Sequence, residues 1–199
     1  MHLDTPYYRL ARARHEAGHY VAAMSLPVRY PEHIVGVDFK VVTMEPEEGS
    51  LGRVSAILHL PPGVSAEFFD SSLTEEQLVP RMIYLLGGLA SGALYHQLFS
   101  EDRYAGGERG RGRFDDLEGA LPVVESLARW VAHEEGVGDC KDIARLLGPR
   151  DWLPFFADSV RAVYAHWDAL WRVADALLAK RTLTGEEALA AFHGDTTRP

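Results

Sequence analysis

The chain has 199 residues, of which 47% are apolar, 25% charged and 10% aromatic. That balance suits a folded domain with a sizeable core and excludes a disordered, collagenous or disulfide-stapled chain. Twenty Lys and Arg against 29 Asp and Glu leave a formal charge of −9, which argues against a nucleic-acid-coating protein or a polybasic membrane binder.

The single Cys140 cannot close an intrachain disulfide, which suits a reducing compartment. Apolar runs are interrupted before about 18 residues, so no transmembrane helix is expected. Charges break the opening segment MHLDTPYYRLARARHEAGHY where a signal peptide would need an apolar core. A single domain over 1–199 in a cytosolic setting is the expectation. No internal repeat or low-complexity tract is visible.

Thr5-Pro6 is a cap and first-turn pair for a helix over about 5–26, which Pro27 is expected to stop. Residues 33–45 are rich in Val and Ile and read as a strand; PEEGS turns the chain, and 51–60 reads as the returning strand before Pro61-Pro62-Gly63. Thr74 with Gln77 is a capping box that opens a helix to about residue 98. Its centre carries Gly87, Gly88, Ala90 and Gly92. Each Gly costs roughly 1 kcal/mol of helix propensity, so a close approach of another backbone is the expected compensation. Residues 100–113 read as a Gly/Arg-rich loop. Net charge and sparse aromatics favour a solvated segment there over a nucleic-acid contact.

Asp115 with Glu118 opens a helix to about 135, which Pro122 should kink. A short helix is expected at 140–147. Apolar residues at Trp152, Phe156, Val160, Val163, Trp167, Leu170, Trp171 and Leu177 recur with helical period over 151–181. That stripe suits core packing, with self-association as the alternative. Thr184 to Glu187 caps a last short helix. The expected class is mostly α with a small β element, an α+β fold.

The residues that carry chemistry are His15-Glu16-Ala17-Gly18-His19, an HExxH motif. Residues four apart share one helix face, so His15 and His19 can aim two imidazoles at one zinc ion. Glu16 is rotated by about 100° from His15. It can stand beside a metal and act as general base for an attacking water. A catalytic zinc needs a third protein ligand. The extended metzincin form needs Gly at 22 and His at 25; Ala22 and Ser25 stand there and exclude it. Asp115 and Asp116, at a helix start, are candidates, with Glu76 and Glu101 behind them. The other histidines read as surface or capping residues, and Cys140 has no His neighbour in sequence that would make it a nucleophile.

In order, the chain carries HEAGH, a two-strand element, Leu85-Leu86-Gly87-Gly88-Leu89-Ala90, a loop, and Asp116-Leu117-Glu118 with Ala120. This succession resembles the protease domain of the FtsH-type ATP-dependent zinc metalloproteases. The closing segment ALLAKRTLTGEEALAAF resembles that family's final helix, turn and helix, so the likeness covers about 5–193. It implies a helical zincin-like peptidase domain with His15, His19 and Asp116 as zinc ligands and Glu16 as base. Asp115 stands where the family usually has Asn. Gly52-Arg53-Val54-Ser55 resembles the family segment at the edge strand, which implies substrate binding by backbone pairing; a plain structural hairpin is the alternative. No G-x-x-x-x-G-K-[ST] occurs, so the family's ATPase module is not expected, nor its membrane anchor.

The function expected is a stand-alone zinc metalloendopeptidase acting on unfolded polypeptide. The alternative is a non-proteolytic zinc-binding regulatory or adaptor protein. A separate ATPase or a homo-oligomer is the partner left open; nucleic acid is not expected.

Overall fold

A computed structural model of the chain describes residues 5–45, 52–63, 73–105, 116–134, 143, 146 and 151–195. Helix α1 (Pro6–Arg29) is the element around which the others gather. The Thr5 hydroxyl accepts the Tyr8 N–H at 3.4 Å, with Pro6 in the first turn, as the sequence suggests. Pro27 does not end the helix. A proline removes one N–H and crowds the carbonyl four residues back, and in the last turn little of the ladder remains to lose. The helix closes two residues later, where the Tyr30 N–H donates to the Leu26 carbonyl at 2.8 Å.

Strand β1 (Gly36–Thr43) pairs antiparallel with β2 (Arg53–His59), from Gly36 opposite His59 to Thr43 opposite Arg53, with an irregularity between Phe39 and Val41. A third strand, β3 (Thr182–Thr184), joins the far side of β1, with Val41 opposite Thr184 and Thr43 opposite Thr182. The sheet order is β2-β1-β3. Three residues are too few to show an alternation, so β3 has no signal in the sequence. The sheet rests on α1 through Tyr20, whose ring lies 4.2 Å from that of Phe39.

Helix α2 (Glu75–Ala105) opens with the expected capping box. The Gln77 N–H donates to the Thr74 hydroxyl at 3.3 Å, and the Thr74 N–H to the Gln77 side-chain carbonyl at 3.2 Å. The helix runs past residue 98 to Ala105, so 100–105 are helical rather than loop. The first glycines after residue 98 are Gly106 and Gly107, and Ser-Glu-Asp-Arg-Tyr-Ala before them tolerates a helix. The stretch Glu75–Leu98 is apolar and long enough to cross a membrane by composition, yet 89% of its most apolar window is buried inside the fold. That is how a core helix is placed.

Helix α3 (Leu117–Glu134) passes Pro122 without a break. Of the expected helix at 140–147, residues 143 and 146 are described and both are helical; Cys140 lies outside the described residues. The periodic segment 151–181 is two helices, α4 (Leu153–Ala165) and α5 (Trp167–Lys180), separated at His166, where φ is −114° and ψ 27°. The division redirects the chain. Helix α4 lies on α2, where the Ser159 hydroxyl donates to the Ile83 carbonyl at 3.0 Å, and α5 lies on α1. One straight helix could not cover both. Phe156, Trp167 and Trp171 are buried, so the aromatic stripe is core. Helix α6 (Gly185–His193) starts with the expected box between Thr184 and Glu187. The fold is mostly α with a small antiparallel sheet, as its composition and periodicity predict.

Candidate functional site

The site begins at the crossing of α1 and α2. Gly18 and Gly87 meet there backbone to backbone: a Cβ on Gly87 would lie 2.6 Å from the Gly18 carbonyl oxygen, and one on Gly18 would collide with that of Gly87. The buried Ser91 hydroxyl lies 2.7 Å from the Gly88 carbonyl and 3.1 Å from that of Arg14, joining the two helices. The run of small residues thus does what its propensity cost suggests.

This approach orients the histidines. His19 is buried and His15 half-buried. Nδ1 of His19 lies 2.8 Å from the main-chain carbonyl oxygen of Tyr84. A carbonyl only accepts, so Nδ1 carries the proton and Nε2 of the neutral ring presents its lone pair. That Nε2 stands 3.1 Å from Nε2 of His15, with the rings edge to face. With a proton on His15 Nε2 the contact is a hydrogen bond to His19, and a cation between two lone pairs would take that proton's place. Two imidazole nitrogens bound tetrahedrally to one zinc, at about 2.0–2.1 Å each, lie about 3.3–3.4 Å apart. The pair therefore fits half of a zinc coordination sphere. The bond from Nδ1 to a backbone carbonyl is the usual outer-shell support of a metal-bound histidine. The His15 ring lies against Gly88, where a Cβ would stand 2.6 Å from both ring nitrogens.

Glu16 is 5% exposed. Its carboxylate lies against Gly52 at the start of β2, so closely that a Cβ on Gly52 would meet Oε1. Gly52 thus touches the expected base. Arg53 is exposed, Val54 is buried and Ser55 half-buried, and among the described residues β2 is an edge strand of the sheet. The Tyr84 hydroxyl donates to the Val54 carbonyl at 2.8 Å.

Asp116 makes a local bond of its own. Its side chain is exposed at the start of α3, where Oδ1 accepts the Gly119 N–H at 3.0 Å. Among the described residues no three His, Cys, Asp or Glu side chains gather as a metal-binding group. Glu76 is exposed in the first turn of α2. Asp115, Arg109, Arg111 and Arg113 and the side chains of Glu101 and Arg103 lie outside the described residues.

The chain matches no protein-family profile and no curated protein sequence. The likeness to the FtsH-type protease domain therefore stands on its motifs alone. Tyr84 has no signal in that likeness or in the periodicity. Its part in the site is a main-chain atom and one hydroxyl, placed by a helix crossing.

Proposed function

We propose that the chain is a zinc-dependent metallopeptidase of the FtsH-like zincin kind that hydrolyses unfolded or flexible polypeptides. The observation that carries this reading is the 3.1 Å separation of the His15 and His19 Nε2 atoms beside a buried Glu16. His15 and His19 would hold the metal, with Asp116 as the third ligand implied by the resemblance. Bound zinc supplies Lewis acidity and lowers the pKa of a coordinated water toward about 7.

The chain's own residues do the rest. The Tyr84 carbonyl keeps His19 in the tautomer that offers Nε2. Glu16 takes a proton as the water oxygen bonds to the substrate carbonyl carbon. When the C–N bond breaks, Glu16 returns that proton to the departing amine. The edge of β2 offers backbone groups to an extended substrate through residues 52–55.

The test is metal analysis with casein digestion, comparing wild type and Glu16→Gln. About one zinc per chain is expected in both. The amide cannot accept the proton, so the variant should lose on the order of 10²–10⁴ in rate. Equal activity of the two proteins would remove Glu16 as base.

The lack of a P-loop sequence in these 199 residues favours a second reading, a zinc-binding regulatory or adaptor protein without proteolysis. Zinc-loaded protein that cleaves no unfolded substrate would select it.

A further inference from the structure

We propose that Tyr84 is a positioning residue that ties β2 to the histidine pair, and that its hydroxyl sets how tightly an extended polypeptide is held beside the site. The substrate rests on the peptidase reading above; the tie rests on two bonds made by one residue. The main-chain carbonyl of Tyr84 accepts from His19 Nδ1 and its phenol donates to the Val54 carbonyl, each at 2.8 Å. The phenol ring stands 5.6 Å from the His19 imidazole, tilted by 51°. One residue of α2 therefore touches both sides of the site.

Val54 is two residues from Gly52, a span of about 6.5–7 Å along a strand. Gly52 lies against the Glu16 carboxylate. A pin at Val54 thus holds the start of β2 at a set height against Glu16. Among the described residues β2 pairs only with β1, so strand pairing restrains it from one side and Tyr84 adds a second restraint. A polypeptide bound along this strand by backbone pairing depends on that height.

Tyr84→Phe separates the two bonds. It removes the hydroxyl and leaves the main-chain carbonyl and ring, so the His19 orientation is retained. One net hydrogen bond corresponds to roughly two- to tenfold in an equilibrium constant. The experiment uses the full zinc-loaded chain and an unstructured quenched-fluorescence peptide. Three quantities are read: zinc affinity by chelator competition, kcat and KM, and hydrogen exchange of the amides of residues 53–55.

The variant should keep zinc affinity and kcat within twofold, raise KM two- to tenfold, and exchange the 53–55 amides faster. A tenfold loss of zinc affinity, or a fall in kcat at constant KM, would overturn the proposal by showing that the hydroxyl acts on the histidine pair. Unchanged KM with unchanged exchange would also overturn it. Should the wild type bind zinc and cleave nothing, the peptidase reading fails separately. Exchange at 53–55 and binding of the labelled peptide, followed by anisotropy, then decide the tie: faster exchange with weaker binding supports it, and no change in either overturns it.

Discussion

Gly18 and Gly87 face each other across the α1–α2 crossing with no side chain between them; a Cβ on Gly87 would stand 2.6 Å from the Gly18 oxygen. The adjacent residues then meet in a definite way. His19 reaches the Tyr84 carbonyl, and His15 lies on Gly88. The helix contact and the imidazole geometry are one arrangement.

Alanine at these two neighbouring glycines should therefore have different effects. In Gly87→Ala the new methyl meets backbone, which cannot step aside, so a loss of about 3 kcal/mol is expected despite the better helix propensity. In Gly88→Ala it meets the His15 ring, which can swing away. Stability should hold, while zinc affinity falls at least tenfold. Denaturant unfolding and chelator competition on both variants check the contrast; equal stability losses would contradict it.

Asp116 has one role in the structure and another implied by resemblance, and two substitutions separate them. Asn is as good an N-cap as Asp but a poorer zinc ligand. Asp116→Asn should keep the melting temperature and lose zinc affinity. Asp116→Ala should lose both, with about 1 kcal/mol for the cap. Full zinc occupancy in both variants would remove Asp116 from the ligand set.

Cleavage should be confined to flexible or unfolded chains and be indifferent to ATP. No P-loop occurs in the 199 residues. An edge strand accepts only an extended segment. A buried segment of a stable domain becomes extended only at close to the global unfolding cost, about 5–15 kcal/mol. A folded domain and its unfolded variant, digested side by side with and without ATP, test this. Equal cleavage of the two, or stimulation by ATP, would contradict it.

Stability should fall on mild acidification, through His166. Burial, and then the charge of Arg29, hold its imidazole below the ordinary value of about 6.5. Between the depressed folded value and 6.5 the unfolded chain binds more protons than the folded one. Stability therefore rises with pH across that window and drops as pH is lowered from 7 through it. His166→Gln should flatten this part of the curve. Superimposable unfolding midpoints for variant and wild type between pH 5.5 and 7 would show no contribution from His166.

Sequence alone determined the features that close within a few residues. Thr5 with Tyr8, Thr74 with Gln77 and Thr184 with Glu187 are caps whose partners are three positions apart. His15 and His19 share a helix face because four residues make about one turn. The helical class follows from the same short periods. Tertiary structure decided what burial brings together from afar. The carbonyl that orients His19 is 65 residues away. Gly52 meets Glu16 from 36 residues away, and β3 pairs with β1 across a gap of 139 between Thr43 and Thr182. The 151–181 segment divides at His166 because its two halves cover different helices, a requirement invisible to its own unbroken apolar period. Asp116, which the resemblance implies as a ligand, caps a helix start through its own neighbour Gly119. Local backbone bonds are decided by neighbouring residues, whereas packing partners are chosen by which apolar faces the whole chain must hide from water.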